Sequence, residues 1–178
     1  MDQTLVAPAI AAPSEAVAAF EALYRSSRDD VYAYVSGMLR DRSAAEDVTA
    51  LAFERAYRRR ASFKPDRGSH RGWLFGIARN AALDELRRRG RQAELTTEPE
   101  DPAAAGAHEE AAEAALRRSV IAAGMAKLTP RDRELIALKF YGDLANGEIA
   151  AVLGISESNV GTKLHRAMEK LREACDEG

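Results

Sequence analysis

Leu144-Ala-Asn-Gly-Glu-Ile-Ala-Ala-Val-Leu-Gly-Ile-Ser-Glu-Ser-Asn-Val-Gly-Thr-Lys-Leu-His-Arg-Ala-Met-Glu-Lys-Leu-Arg172 reads as a helix, a tight turn at Gly154 and a second helix. Ile149, Val152 and Leu153 fall at i, i+3 and i+4, and Val160, Leu164, Ala167, Met168 and Leu171 resume the helical period after the break. Gly154 suits the left-handed residue that ends a helix, and Ser156 is an acceptor for an orphan backbone N–H at the start of the next. The polar residues left facing outward on the second helix are Ser158, Asn159, Thr162, Lys163, His165 and Arg166, which have the chemistry to contact base edges and phosphates. An ordinary helical hairpin with a solvated face shares this pattern, so the rest of the chain must decide between the two.

Working outward, the chain reads as all-α. It has 178 residues, 46% of them hydrophobic and only 6% aromatic, and Ala, Leu, Arg and Glu dominate, which disfavours strands. Thr129-Pro130-Arg131-Asp132 is a helix start, with Leu135, Ile136, Leu138 and Phe140 expected to brace the helix pair behind it. Leu116, Val120 and Ile121 open this second domain, taken as 116–178. A first domain is expected over 14–91, where Phe20, Leu23, Tyr24, Val31, Tyr32 and Val35 form one stripe. Its second helix starts at Ser43, with Glu46 completing a capping box, and carries Val48, Leu51, Ala52 and Phe53. A loop over 61–70 contains Pro65 and Gly68. The third helix places Leu74, Ile77, Ala78 and Ala81 inward, with Asn80, Asp84 and Arg87 on another face, Arg88 beside them and Gly90 as the stop. Residues 1–13 are expected to be a mobile tail, and 92–115 an Ala-, Glu- and Pro-rich linker.

Charge is segregated along this plan. The net charge is only −2, yet residues 54–91 hold 12 basic and 4 acidic side chains, while 92–116 hold 7 acidic and none basic. Such a chain suggests two nucleic-acid-facing modules separated by an acidic tether. Catalytic and metal chemistry find no support. His70, His108 and His165 lie in unrelated segments, and Glu46 and Asp47, as helix neighbours, diverge by about 100°. No cofactor is therefore expected. The single cysteine, Cys175, fits a reducing cytosol. The N-terminus lacks a positive n-region, and no apolar run approaches the roughly 20 residues that span a bilayer, so a cytoplasmic protein without membrane insertion is expected.

Several segments, in order, resemble the extracytoplasmic function (ECF) sigma factors of bacterial RNA polymerase. The first domain carries Ala45-Glu46-Asp47-Val48 with Phe53 and Ala56, then Trp73-Leu74, Ile77-Ala78-Arg79-Asn80, Asp84 and Arg87-Arg88-Arg89. The second carries Leu128-Thr-Pro-Arg-Asp-Arg-Glu134, Glu148-Ile-Ala150, Leu153-Gly-Ile-Ser156 and Leu164-His-Arg-Ala167. The resemblance implies that the chain binds core RNA polymerase, directs it to promoter DNA, helps melt that DNA and has no catalysis of its own. It implies core-polymerase contacts at Glu46, Asp47, Ala50, Leu51 and Glu54. It implies downstream-promoter contacts at Phe63, Lys64, His70, Arg79, Asn80, Asp84, Arg87 and Arg88, with one base held out of the stack. Upstream-promoter contacts fall to Ser158, Asn159, Thr162, Lys163, His165 and Arg166. An anti-sigma factor is the further partner it implies. Four positions depart from the family pattern: Ala50 and Leu51 replace a common Gln and acidic residue, Gly161 replaces a common basic residue, and Ala145 replaces a capping Ser, with Asn146 available to cap one position later. The competing reading is a helix-turn-helix regulator that works without polymerase.

Overall fold

The computed structural model describes residues 15–95 and 112–176, and all of their regular structure is helical. The first bundle contains α1 (Glu15–Leu39), α2 (Arg42–Arg59) and α3 (His70–Leu95), with two 3₁₀ turns, Arg60–Ser62 and Pro65–Arg67, between α2 and α3. The second contains α4 (Ala112–Lys127), α5 (Pro130–Phe140), α6 (Asn146–Leu153) and α7 (Glu157–Asp176). The all-α expectation is met. The expected linker is helical at both ends, since α3 runs to Leu95 and α4 begins at Ala112. Its centre and the expected tail lie outside the described residues.

The first bundle closes around Val31, Tyr34, Val35, Val48, Phe53, Leu74 and Phe75, all buried. Ala45, Ala52, Ala56, Ala78, Ala81 and Ala82 fill the seams between helices, where small side chains allow close approach. Aromatic edges lock α1 to its neighbours: Tyr24 meets Phe53 at 4.8 Å, Phe20 meets Tyr57 at 5.1 Å and Tyr34 meets Phe75 at 5.4 Å between ring centroids. In the second bundle α7 packs on α4, α5 and α6. Leu128, Ile136 and Ala167 form a small core there with Met125, Leu164, Met168 and Leu171.

The bundles are not independent. Leu135, Ala137, Leu138, Leu144, Ile149, Ala150 and Val160 belong to the same apolar cluster as the first bundle's core, and α5 packs on α1 while α6 packs on α3. Burying each large side chain in such a cluster contributes about 1.5–3 kcal/mol, so the seam between bundles is a substantial interface.

The local signals around the helix-turn-helix hold. Gly154 adopts φ 67° and ψ 36°, and Ser156 Oγ accepts the Asn159 N–H at 3.3 Å. Thr129 Oγ1 accepts from Asp132 N at 3.2 Å, with Pro130 at the first helical position. Other expectations are corrected. Asp41, not Ser43, caps α2 by accepting from Ala44 N, which leaves Glu46 to pair with Arg42 at 3.1 Å. Gly90 does not stop α3, which runs on to Leu95, with Arg88 Nη1 donating to Gln92 Oε1 across the glycine at 3.0 Å. Asn146 is the first residue inside α6 rather than its cap; Glu148 folds back to accept the Ala145 N–H at 2.8 Å. Leu116, Ile121 and Phe140 are exposed, because α4 and α5 bury other faces against α7 and the first bundle.

Candidate polymerase and promoter interfaces

Glu46, Asp47, Ala50 and Glu54 lie on one exposed face of α2, and Leu51 is half-buried at its edge. Arg42 and Arg58 pair with Glu46 and Glu54, the latter at 2.7 Å, so these carboxylates are pre-oriented by helical neighbours. Beside this face, α1 and α2 enclose a groove of about 510 Å³ lined by Tyr24, Arg28, Tyr32, Glu46, Ala50 and Phe53. Thr49 lines it too, with a buried hydroxyl that has no hydrogen-bond partner. A groove with aromatic walls, a rim of mixed charge from Arg28, Asp29, Arg42 and Glu46, and one unsatisfied hydroxyl has the chemistry of a protein-docking surface.

The loop between α2 and α3 builds a different kind of site. Phe63 stacks on His70 at 3.6 Å between centroids and meets Trp73 edge-on at 5.7 Å. Trp73 is thus half-buried against the loop rather than central in the core. Phe63, Lys64, Trp73 and Asn80 share a cleft of about 430 Å³ with Arg59 and Ser69 on the same bundle and Glu148, Ala151 and Val152 of α6 opposite. A flat aromatic wall, an amide and nearby cations suit an unstacked nucleobase and its phosphate.

Along α3 the basic cluster is ordered by carboxylates. Asn80, Asp84 and Arg87 share a stripe; Asp84 holds Arg55 at 3.3 Å and Arg87 at 3.2 Å. Glu85 takes both Arg88 at 2.7 Å and Arg89 at 2.8 Å, and Arg89 reaches on to Asp41 at 2.8 Å. The Arg88 hydrogen bond, opposed by partial burial and reinforced by Arg89, holds the Glu85 carboxyl down at about 2. The Ala44 N–H and then Arg89 hold Asp41 below its ordinary value. Arg87 and Arg88 remain exposed, while Arg89 ties α3 to the start of α2.

Arg79 is placed apart from this group. Its Nε donates to Glu134 of α5 at 2.7 Å, with side-chain exposures of 23% and 11%, and the Tyr34 hydroxyl also donates to Glu134 at 3.4 Å. Burial, then the Glu134 charge, pushes the Tyr34 hydroxyl well above its ordinary pKa, which keeps it a donor.

On α7, Ser158, Asn159, Thr162, Lys163, His165 and Arg166 are all exposed. Their positions cover an arc of about 160° opposite Val160, Leu164 and Ala167. Thr162 returns its hydroxyl to Ser158 O at 3.2 Å, and His165 lies 3.3 Å from Glu169. Gly161 sits within this exposed region, and a Cβ there would meet only Asn146 Nδ2 at 3.9 Å.

The comparisons with known proteins agree with this geometry. Residues 23–92 match Sigma-70 region 2 and residues 118–171 match Sigma-70 region 4. The chain is similar to the ECF RNA polymerase sigma factor SigL of Mycobacterium tuberculosis, at 32% identity over 92% of this chain and 95% of that one. The chain belongs to the ECF sigma factors. It is also similar to the RNA polymerase sigma factor CarQ of Myxococcus xanthus, at 33% identity over 89% of this chain and 90% of that one. Among solved structures, the sigma factor RpoE in complex with the anti-sigma factor NepR from Bartonella quintana matches with a TM-score of 0.78, 20% identity and coverage of 89% of this chain and 97% of that one. CnrH in complex with the cytosolic domain of CnrY matches with a TM-score of 0.64, 26% identity and coverage of 90% and 89%. As an ECF sigma factor, the chain acts with RNA polymerase in promoter-directed transcription initiation. Among the described residues no helix is long and apolar enough to cross a membrane.

Sequence reasoning passed over three side chains of this sigma factor that join its bundles. Arg71 of α3 donates to the Gly142 carbonyl, to Tyr141 O at 3.2 Å and to Asp30 at 2.7 Å. Glu134 and Glu148 bind Arg79 and Ser69 respectively. Glu134 and Glu148 lay inside the family motifs quoted above, but no spacing pairs them with residues 55 and 79 positions away.

Proposed function

We propose that this sigma factor divides its labour between the surfaces just described. The α2 face at Glu46, Asp47, Ala50, Leu51 and Glu54, with the adjoining groove, docks on core polymerase. The Phe63–His70 loop and Asn80 hold one base of the melted downstream element, and Lys64, Arg87 and Arg88 neutralise its backbone. Asp84 orients Arg55 and Arg87. The exposed arc of α7 reads the upstream element in the major groove. The units 14–91 and 116–178 are the two functional domains, joined by 92–115. The protein carries no catalysis, works in the cytoplasm and, like the relatives solved in such complexes, is held by an anti-sigma factor.

The observation that carries this reading is the presence, in one chain, of an aromatic–amide cleft suited to an unstacked base and an unobstructed polar helix face suited to duplex. Transcription reconstituted with bacterial core polymerase tests it. Asn80→Ala is expected to weaken initiation in a way that pre-melted downstream DNA largely restores, whereas Thr162→Ala/Lys163→Ala is expected to lose discrimination among upstream sequences. Promoter-independent initiation, or duplex recognition that is equally strong without core polymerase, would refute the assignment.

A further inference from the structure

We propose that Thr162 reads a thymine of the upstream element through its methyl group, which α7 presents to the major groove because the Thr162 hydroxyl is committed to the helix itself. The inference rests on assigning the exposed arc of α7 to the upstream duplex.

Position and side-chain conformation carry it together. At 100° per residue, Thr162 lies within about 20° of the middle of the arc that runs from His165 to Lys163. Val160 and Ala167, both fully buried, hold the opposite side of α7 against the protein. Thr162 also stands in the second turn of α7, and the N-terminal part of a recognition helix is the part that reaches base edges. Lys163 and His165 fall at the flanks of the arc, where the groove is walled by phosphates.

The Thr162 hydroxyl donates to Ser158 O at 3.2 Å, a bond back along the helix that fixes the side-chain rotamer. With the hydroxyl turned back, the methyl is the other heavy atom on Cβ and is left to face outward. The major groove offers one apolar group that matches it, the 5-methyl of thymine. Cytosine has only hydrogen at that place, and the purine edges present N7 with O6 or N6, which would lose water against a methyl without gaining a partner. The threonine side chain is short, and its neighbour lets it reach. Gly161 carries no side chain, and even a Cβ there would meet only Asn146 Nδ2 at 3.9 Å, so the α7 backbone can approach the duplex closely. Reading through the hydroxyl would require the Ser158 bond to break first.

The test uses the full chain with bacterial core polymerase. Active sequences are selected from a promoter library randomised across the upstream element, and each thymine of a selected duplex is then replaced singly by deoxyuridine, which removes only the 5-methyl. Burial of one such group corresponds to about a four-fold change in affinity. With the wild-type chain, deoxyuridine at one position is expected to weaken promoter binding about four-fold in filter binding. Thr162→Val keeps a methyl and deletes the hydroxyl, and is expected to retain that loss. Thr162→Ser keeps the hydroxyl and deletes the methyl, and is expected to bind thymine and deoxyuridine equally at that position while other positions are unchanged. Thermal melts check that both variants are folded. Wild-type insensitivity to every deoxyuridine, a loss that persists in Thr162→Ser, or thymine discrimination that vanishes in Thr162→Val overturns the methyl reading. An upstream preference that Thr162→Ala/Lys163→Ala abolishes, yet that is blind to deoxyuridine, overturns this inference alone; a selection that yields no upstream preference overturns the assignment of α7 as well.

Discussion

Glu85→Gln offers a quantitative check on how the basic end of α3 is held. In the folded chain this carboxyl lies at about 2, against an ordinary value of 4.5. Each unit corresponds to about 1.4 kcal/mol of differential interaction, which sets a ceiling of about 3 kcal/mol on what the ionised group contributes. Arg88 is 58% exposed, so water screens its share, and about 1–2 kcal/mol remains, mostly through Arg89 and its bridge to Asp41. The pH dependence has a definite sign. A depressed carboxyl contributes fully above its unfolded value, near 4.5, and that contribution fades as pH falls towards 2, with more than half gone by about pH 3. Urea denaturation of both proteins at pH 7 and pH 3 should therefore give a stability gap that narrows in acid. Asp41 is also lowered, but it is present in both proteins and to first order cancels from the difference. A gap that is equal at the two pH values, or wider in acid, would refute the reasoning.

Gly161→Ala should stabilise the chain by about 1 kcal/mol in thermal melts, since a helical glycine is replaced where a Cβ has room. Thr129→Ala should cost about 1 kcal/mol by chemical denaturation, because Asp132 N loses the only cap the α5 start provides through a side chain. Phe63→Ala should weaken promoter opening by about 1–3 kcal/mol, measured as loss of permanganate-reactive bases on duplex promoter, and pre-melted templates should largely restore transcription, as for Asn80→Ala.

The helices were legible because each advertises itself locally. The period of Val160, Leu164 and Ala167 places one face of α7 inward whatever it packs against, and Gly154, Ser156 and Thr129 act through neighbours three or four residues away. The errors came from competition between equally good local signals. Asp41 and Ser43 both have capping chemistry, and the choice goes to Asp41 because Arg89, 48 positions away, reaches its other oxygen. Leu116, Ile121 and Phe140 have core chemistry, but the second bundle is too small to bury every face of α4 and α5.

Arg79 shows why site roles are harder to read than helices. Its positive charge, its place in the basic block and its position beside Asn80 all point to phosphate, and none of these properties distinguishes a phosphate from a carboxylate. The folded chain brings it a carboxylate, Glu134, shielded to 11% exposure and steadied by Tyr34. Arg87 and Arg88 carry the same charge a few residues on, yet their partners lie on their own helix and leave them exposed. The difference is set by which side of α3 faces α5, a property of the packing between bundles. A basic helix thus divides into cations available to DNA and a cation engaged by the rest of the protein, and that division makes the charge of this region depend on whether the bundles are together or apart.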